Sequence, residues 1–164
     1  PLTETTVDDF DRVIRVNLIG TFLMVRESVR HLVDGTAPAV VNFSSTSAAF
    51  AHPYMSAYAA SKGGVQSMTH ALAAEYSAAG IRFTSVQPGS ISSGMTDGSG
   101  ASGASVGPGL PADVDWALFA KLQPALGEGF AGPEAVAGVV AMLASADGAF
   151  ITGTEIRVDG GTHF

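Results

Sequence analysis

The sequence predicts an α/β fold built on a parallel sheet. Residues 39–43 and 81–86 are short apolar runs bounded by turn residues, as expected for buried strands. Residues 53–79 between them are predicted to be mostly helix, with Gly80 as the C-terminal stop. A strand, a long helix and a second strand form a βαβ unit, and its crossover should be right-handed.

Another long helix is predicted over residues 7–33, ahead of the first strand. Thr6, followed by two aspartates, suits a helix start, and Pro38 prevents the helix from resuming after its end. Apolar residues recur at three- and four-residue spacing, as a helix requires: Phe10, Val13, Ile14, Leu18, Phe22 and Val25.

The remaining elements are shorter. Residues 44–52 are predicted to be a hydroxyl-rich loop, and residues 94–111 have the glycine, serine, alanine and proline content of a mobile segment. A short helix is predicted around residues 112–122. A longer one is expected over residues 133–145, with proline at its first turn, where helices tolerate it. Residues 155–158 are predicted to form a third strand.

Composition and charge exclude several classes of protein. A chain of 164 residues, 46% of them hydrophobic, suits one packed domain. A net charge of −7 argues against a nucleic-acid partner, which would require a basic face. Without cysteines there is no disulfide framework or thiolate site, and the four histidines lack metal-ligand spacing, so we propose no metal. No signal peptide or membrane-spanning run is visible, which predicts a cytoplasmic protein.

Tyr58 and Lys62 are the first candidates for chemistry. Four residues apart on the predicted helix, they share one face, with side chains roughly 5–6 Å apart at their bases. An ammonium group beside a tyrosine favours the phenolate and lowers the phenol pKa, which suits acid–base catalysis near neutral pH. The alternative is a surface tyrosine beside a solvated lysine, and the pair alone does not decide between them.

The surroundings of this pair are more specific. Ser45 lies thirteen positions before Tyr58, where an apolar strand ends in hydroxyl residues. Ligand sites of parallel α/β sheets lie at such carboxyl ends. The other landmarks are Asn17 in V-N-L-I-G-T-F, the turn Q-P-G-S-I-S-S, and the segments I-T-G and V-D-G-G. Together and in this order, the landmarks resemble the short-chain dehydrogenase/reductase family over nearly the whole chain.

The resemblance implies four catalytic residues. Tyr58 would act as the general acid–base on a carbonyl or alcohol oxygen. Lys62 would lower the tyrosine pKa and bind the nicotinamide ribose. Ser45 would donate a hydrogen bond to the substrate oxygen, and Asn17 would distort its helix and hold a water in a proton relay to the lysine.

The resemblance also implies a nicotinamide cofactor, NAD or NADP. Besides Tyr58 and Lys62, the turn that resembles P-G-x-[IV]-x-T would contact its nicotinamide end, through Pro88, Gly89, Ile91 and Ser93. Ser93 stands at the threonine position and keeps the hydroxyl but not the methyl. The implied function is hydride transfer between NAD(P)(H) and a small secondary alcohol or ketone, which a mobile loop over residues 94–126 would cover.

The sequence departs from the family pattern at its beginning. Members open with a strand, a T-G-x-x-x-G-x-G turn and a helix that hold the dinucleotide, and nothing of this precedes Pro1. Gly94, Gly98 and Gly100 match the glycine spacing, but a loop composition follows them instead of a helix. We therefore interpret residues 1–164 as a single, N-terminally truncated Rossmann-type domain, a doubly wound parallel sheet that retains three of seven strands. The first strand would have a bare edge.

Two further expectations concern assembly and activity. The family resemblance predicts a homodimer or homotetramer for the full-length protein, with Val65, Met68, Leu72 and Tyr76 as an apolar stripe on the long helix, away from its catalytic face. The alternative to an enzyme is an inactive fragment or an interaction module, because the dinucleotide-binding half is missing from the sequence.

Overall fold

The computed structural model describes residues 1–93, 110–111, 113–120, 122–127 and 129–163. Two sequence-based expectations lie outside these residues in whole or in large part. The first concerns Gly94, Gly98 and Gly100, and the second concerns most of the predicted substrate loop.

A three-stranded parallel sheet forms the centre of the protein. Its strands are β1 (Ala39–Phe43), β2 (Arg82–Pro88) and β3 (Thr154–Val158), in the spatial order β1-β2-β3. The register pairs Phe43 with Val86, and Val86 with Ile156. The predicted α/β class with a parallel sheet is confirmed.

Two α-helices and an intervening π-helical turn precede β1. Helix α1 (Val7–Ile14) begins after Thr6, whose side chain accepts a hydrogen bond from the Asp9 amide. The π-helical turn spans Arg15–Ile19, and helix α2 continues from it over Gly20–Leu32. The predicted helix over residues 7–33 is therefore present, with a wider turn around Asn17.

Helix α3 (Ser56–Glu75) links β1 to β2, and helix α4 (Glu134–Ala144) precedes β3. A short 3-10 turn follows α3 and ends at Gly80, whose φ of 71° is the left-handed conformation that glycine adopts without strain. The helix predicted around residues 112–122 is wrong in extent. Among the described residues of this range, a 3-10 turn over Trp116–Phe119 forms, capped by the Asp115 side chain.

Helices cover both faces of the sheet. On one face, α2 and α3 pack against β2 through Val25, Val29, Ala73, Ile81 and Phe83. On the other face, α4 packs against the sheet through Val86, Val136 and Leu143. Because β2 is paired on both sides and covered on both faces, all of its residues before the last are buried.

Three of the four residues in the apolar stripe predicted for subunit contacts are covered by the chain itself, whereas Met68 is partly buried and belongs to neither core cluster. Val65 is fully buried, and Leu72 and Tyr76 pack against the core of α2, α3 and β2. Val65 follows Tyr58 by seven residues, which is two helical turns, so the stripe continues the catalytic face of α3 toward the sheet.

The outer edge of β1 is unpaired among the described residues. A groove of about 690 Å³ runs along it between α2 and β1, lined by Val16, Thr21, Met24, Val41, Phe43 and Lys62 among others. Within the same residues, none of the helices is long and apolar enough to cross a bilayer. The bare, apolar strand edge predicted from the sequence is thus present in the described chain.

Candidate active site

The first two turns of α3 carry the central pair of the site. Tyr58 and Lys62 are both partly buried, and the Lys62 Nζ lies 5.7 Å from the centre of the Tyr58 ring. The predicted sharing of one helix face is therefore realised.

Ser45 reaches the same place from the carboxyl end of β1. It is buried, and its Oγ accepts a hydrogen bond of 3.2 Å from the Ser47 amide. The Ser45 side chain is close enough to Tyr58 to favour the phenolate and to lower the pKa of the phenol. Since the Ser47 amide uses a lone pair of the Ser45 oxygen, the hydroxyl proton of Ser45 stays available for donation.

The electrostatics of the pair differ from the sequence-based expectation. Burial raises the pKa of Tyr58 above 10.0, and the side chain of Ser45 opposes that rise. Burial also lowers the pKa of Lys62. The expected lowering of the tyrosine pKa by Lys62 is not seen, because desolvation outweighs the favourable interactions of the phenolate in this arrangement.

Lys62 is directed at the edge of the sheet. Its Nζ donates a hydrogen bond of 2.9 Å to the Phe43 carbonyl oxygen. Because the Ser44 amide donates to Val86 in β2, the preceding Phe43 carbonyl faces the opposite, unpaired edge of β1. The ammonium group therefore caps a strand carbonyl that has no strand partner among the described residues.

Asn17 contacts α3 at Ser61, one residue before Lys62. Its Nδ2 donates to the Ser61 Oγ at 3.0 Å, and that hydroxyl donates to the Tyr58 carbonyl at 2.7 Å. The Asn17 carbonyl accepts a hydrogen bond of 2.7 Å from the Thr21 hydroxyl. A π-helical turn at this position frees backbone groups from the regular ladder and often marks functional sites.

The turn after β2 lies at the same edge of the sheet as Ser45. The Gly89 amide donates to the Val158 carbonyl at 3.0 Å, and a Cβ built on Gly89 would lie 2.5 Å from the Asp159 Cβ. Only glycine fits this close approach. Pro88 ends β2, while Ile91 forms an isolated bridge with Ala131.

Sequence reasoning missed two residues that hold the site together. Ser61 connects Asn17 to α3, and the Ser44 hydroxyl donates to the Lys62 carbonyl at 3.0 Å. Both are serines adjacent to a candidate residue, and adjacency is the signal that could have found them. The predicted hydroxyl-rich loop over residues 44–52 does not by itself single out Ser44.

The arrangement can polarise an oxygen atom. A neutral tyrosine hydroxyl and a serine hydroxyl converge at the carboxyl end of a parallel strand, and an ammonium group lies beside them. Such a set can give a proton to a carbonyl oxygen and stabilise its developing negative charge.

Several known proteins are similar to this chain in sequence. A family model described as enoyl-(acyl carrier protein) reductase matches residues 1–163. A cis-4-hydroxycyclohexanecarboxylate dehydrogenase of Sinomonas cyclohexanicum is 37% identical over 98% of this chain and 59% of its own length. A human (3R)-3-hydroxyacyl-CoA dehydrogenase is 38% identical over 98% of this chain and 56% of its own. The chain thus spans a little over half the length of these relatives.

Solved structures agree with this relationship. A short-chain dehydrogenase from Mycobacterium paratuberculosis bound to NAD superposes with a TM-score of 0.84 at 30% identity, covering 96% of this chain and 57% of that one. Sequence landmarks, fold and relatives lead to one conclusion. The chain belongs to the short-chain dehydrogenase/reductase family.

Proposed function

We propose that this chain supplies the catalytic part of an oxidoreductase that moves hydride between NAD(P)(H) and a secondary alcohol or ketone. The observation that carries the proposal is the convergence of Ser45 and Tyr58, with Lys62 on the next turn of α3. The relatives described above, which include two dehydrogenases and a protein bound to NAD, support the same reaction class.

In the direction of reduction, Tyr58 gives its proton to the carbonyl oxygen while Ser45 donates a hydrogen bond to the same atom. The raised pKa of Tyr58 keeps the phenol protonated, which is the form that donates. The nicotinamide supplies the hydride when it is bound. In the reverse direction Tyr58 must accept the alcohol proton, so a Lys62 ammonium turned toward the phenol would favour that step.

The residues present fit one end of such a cofactor. Lys62 offers an ammonium group for the ribose, and the turn with Pro88, Gly89, Ile91 and Ser93 offers backbone and hydroxyl groups for the carboxamide. Among the described residues, no glycine-rich turn joins a strand to a helix N-terminus, the arrangement that binds a pyrophosphate. We therefore expect these 164 residues alone to bind dinucleotide weakly and to be inactive.

The test is a pair of measurements. Calorimetry of residues 1–164 with NADH and NADPH should give no micromolar binding. The longest protein that the gene encodes should oxidise one of the two cofactors in the presence of a ketone, followed by the absorbance of the reduced nicotinamide. A full-length protein that binds cofactor but reduces no ketone or aldehyde would contradict the proposed reaction.

The second candidate is a chain without activity, serving as an interaction module. The unpaired edge of β1 and the Lys62 contact with the Phe43 carbonyl favour it, because both leave hydrogen-bonding groups at an edge that has no strand partner among the described residues. It predicts no turnover even in the longest gene product. We also propose a homodimer or homotetramer for the full-length protein, and light scattering at micromolar concentration tests it, since a monomer would contradict it.

A further inference from the structure

Three aromatic side chains meet beside the start of α3. The rings of Tyr54 and Phe119 stack with centres 6.2 Å apart and an interplanar angle of 16°. Trp116 lies against Phe119 with centres 5.6 Å apart. Tyr54 and Phe119 are half-buried, whereas Trp116 is 68% exposed. These three residues form a surface that we call the aromatic wall.

A hydrogen bond fastens the aromatic wall. The Asp115 amide donates to the Tyr54 hydroxyl at 3.3 Å, and the Asp115 carboxylate caps the turn that carries Trp116 and Phe119. Tyr54 has a φ of 62°, a conformation that residues other than glycine seldom adopt. Tyr54 thus combines an unusual backbone conformation with ring and hydroxyl contacts to this turn.

The aromatic wall stands at the carboxyl end of the sheet, where the catalytic residues are. Tyr54 precedes the first residue of α3 by two positions and Tyr58 by four. Beyond Phe119, the chain is tied to the turn after β2, since the Ser90 hydroxyl donates to the Leu122 carbonyl. It is also tied to the turn after β3, since the Leu126 amide donates to the Gly160 carbonyl. Leu122 and Leu126, which follow the aromatic wall in the chain, therefore lie at the carboxyl ends of β2 and β3.

Such a wall has a specific chemical use. Aromatic faces bind apolar rings with large contact areas and offset or edge-to-face geometry. The exposed Trp116 ring leaves that face open on one side, and none of the cation–π pairs among the described residues involves these three rings. A substrate with a carbocyclic or aromatic ring next to its carbinol carbon matches this surface better than a short-chain alcohol does.

We propose that the aromatic wall receives the apolar ring of the substrate and selects ring-bearing secondary alcohols and ketones. Phe119 and Trp116 contact the ring, and Tyr54 is a positioning residue that fixes their turn through its hydroxyl. The proposal rests on the proposed function, since it names the substrate class of that site.

Trp116 is the single tryptophan of the sequence, so its fluorescence reports on the wall directly. The probes are 1-cyclohexylethanol and 2-butanol, which share a carbinol and differ in the ring. The first should give a saturable blue shift as it displaces water from Trp116, and the second should give none at equal concentration. Subtracting the Trp116→Phe signal removes the emission of any other fluorophore in the preparation.

Four variants separate the explanations. Phe119→Ala and Phe119→Leu should weaken the binding of 1-cyclohexylethanol about tenfold, and Tyr54→Phe should weaken it by a smaller factor. Leu118→Ala removes a neighbouring half-exposed side chain outside the ring contacts and should leave binding unchanged. A wild-type fluorescence shift that is absent or not saturable overturns the proposal. An equal loss of affinity for 1-cyclohexylethanol in Leu118→Ala and Phe119→Leu also overturns it.

The reaction itself is tested separately by Tyr58→Phe. This variant should keep the fluorescence shift and lose turnover. If the shift persists while the wild-type enzyme oxidises no alcohol with either cofactor, the proposed reaction fails and the aromatic wall stands as a binding site. If the enzyme is active and oxidises 2-butanol as efficiently as 1-cyclohexylethanol, the proposal that the aromatic wall selects ring-bearing substrates is refuted.

Discussion

The two ends of α3 are built from different chemistry although they belong to one continuous helix. The N-terminal end holds Tyr58, Ser61 and Lys62, half-buried or buried and tied by hydrogen bonds to α1–α2, β1 and the loop after β1. The C-terminal end holds Ala73 and Tyr76, which pack against Phe83 and the apolar side of α2. Hydrogen-bond geometry fixes the first end, whereas buried apolar area fixes the second.

Because of this difference, substitutions at the two ends of α3 should affect activity and stability separately. A polar change at the N-terminal end alters groups whose positions matter to the reaction, at modest cost in folding free energy. A change at the C-terminal end alters packing, which determines the free energy of unfolding. Matched substitutions at the two ends can therefore test whether the division is real.

The largest expected effect is that of Tyr58→Phe compared with Tyr76→Phe. Both remove one hydroxyl and keep the ring, but only Tyr58 lies close to Ser45. In the full-length enzyme, Tyr58→Phe should lower kcat/KM for ketone reduction by at least about 10²-fold, the usual contribution of a general acid. Tyr76→Phe should stay within a few-fold of wild type. Similar activities for the two variants would remove Tyr58 from the mechanism.

A second comparison uses two asparagines that contact α3 at different points. Asn17 donates to Ser61 at the N-terminal end, and the buried Asn42 donates to Thr69 near the middle. Asn17→Ala should lower kcat about tenfold with a small change in stability, as expected for loss of a group that positions catalytic residues. Asn42→Ala should cost about 1–3 kcal/mol of unfolding free energy, because it leaves a buried hydroxyl short of a partner. Chemical denaturation and steady-state kinetics of both variants check the assignment, and a reversal of the two outcomes would overturn it.

Adjacent glycines at the boundary between the two ends give a smaller effect. A Cβ on Gly64 would lie 2.6 Å from the Leu18 Cδ2, whereas a Cβ on Gly63 would meet only the Ala48 carbonyl at 3.8 Å. Both substitutions gain helix propensity, but Gly64→Ala must also displace Leu18 in the π-helical turn. Gly64→Ala should be about 1–3 kcal/mol less stable than Gly63→Ala in thermal or urea unfolding. Equal stabilities would mean that Leu18 moves freely.

The sequence was sufficient to predict the elements that depend on local signals. The first strand is found at its predicted bounds, and the long helices begin and end within a few residues of theirs. Tyr58 and Lys62 share a helix face, because helix periodicity places residues four apart side by side. The proximity of Ser45 to Tyr58 was implied by the resemblance to the family. The family itself followed from the order of short motifs.

The failures concern features that depend on tertiary neighbours. Periodicity locates the stripe of Val65, Met68, Leu72 and Tyr76 but does not say what covers each residue. Here Val65 is fully buried, and Leu72 and Tyr76 pack against the chain's own core. Residue types around Trp116 are compatible with a helix, yet the described residues there form a 3-10 turn, capped by Asp115. The tyrosine pKa was expected to fall because spacing shows the neighbouring charge and not the depth of burial.

Lys62→Met has the smallest predicted effect on stability and sharpens the comparison most. Burial lowers the pKa of Lys62 below 10.5, so folding is less favourable wherever the lysine must be charged. In the wild type, unfolding free energy should therefore rise with pH between the lowered folded pKa and 10.5, because the unfolded chain binds more protons there. Methionine keeps most of the side-chain length and removes the charge, and the Phe43 carbonyl that loses its donor lies at a half-exposed residue.

The variant should consequently be more stable than wild type at pH 7, with a melting temperature higher by about 2–4 °C for each kcal/mol recovered. The gain should vanish above pH 10.5, where the wild-type lysine is neutral in both states. Catalytic activity should be lost at every pH, since Lys62 belongs to the proposed catalytic group at the N-terminal end of α3. Calorimetric melting of both proteins across this pH range is the measurement. A destabilised Lys62→Met at pH 7 would show that the ammonium contact with the β1 edge stabilises the fold by more than the burial of Lys62 costs, and that Lys62 helps to hold the sheet together.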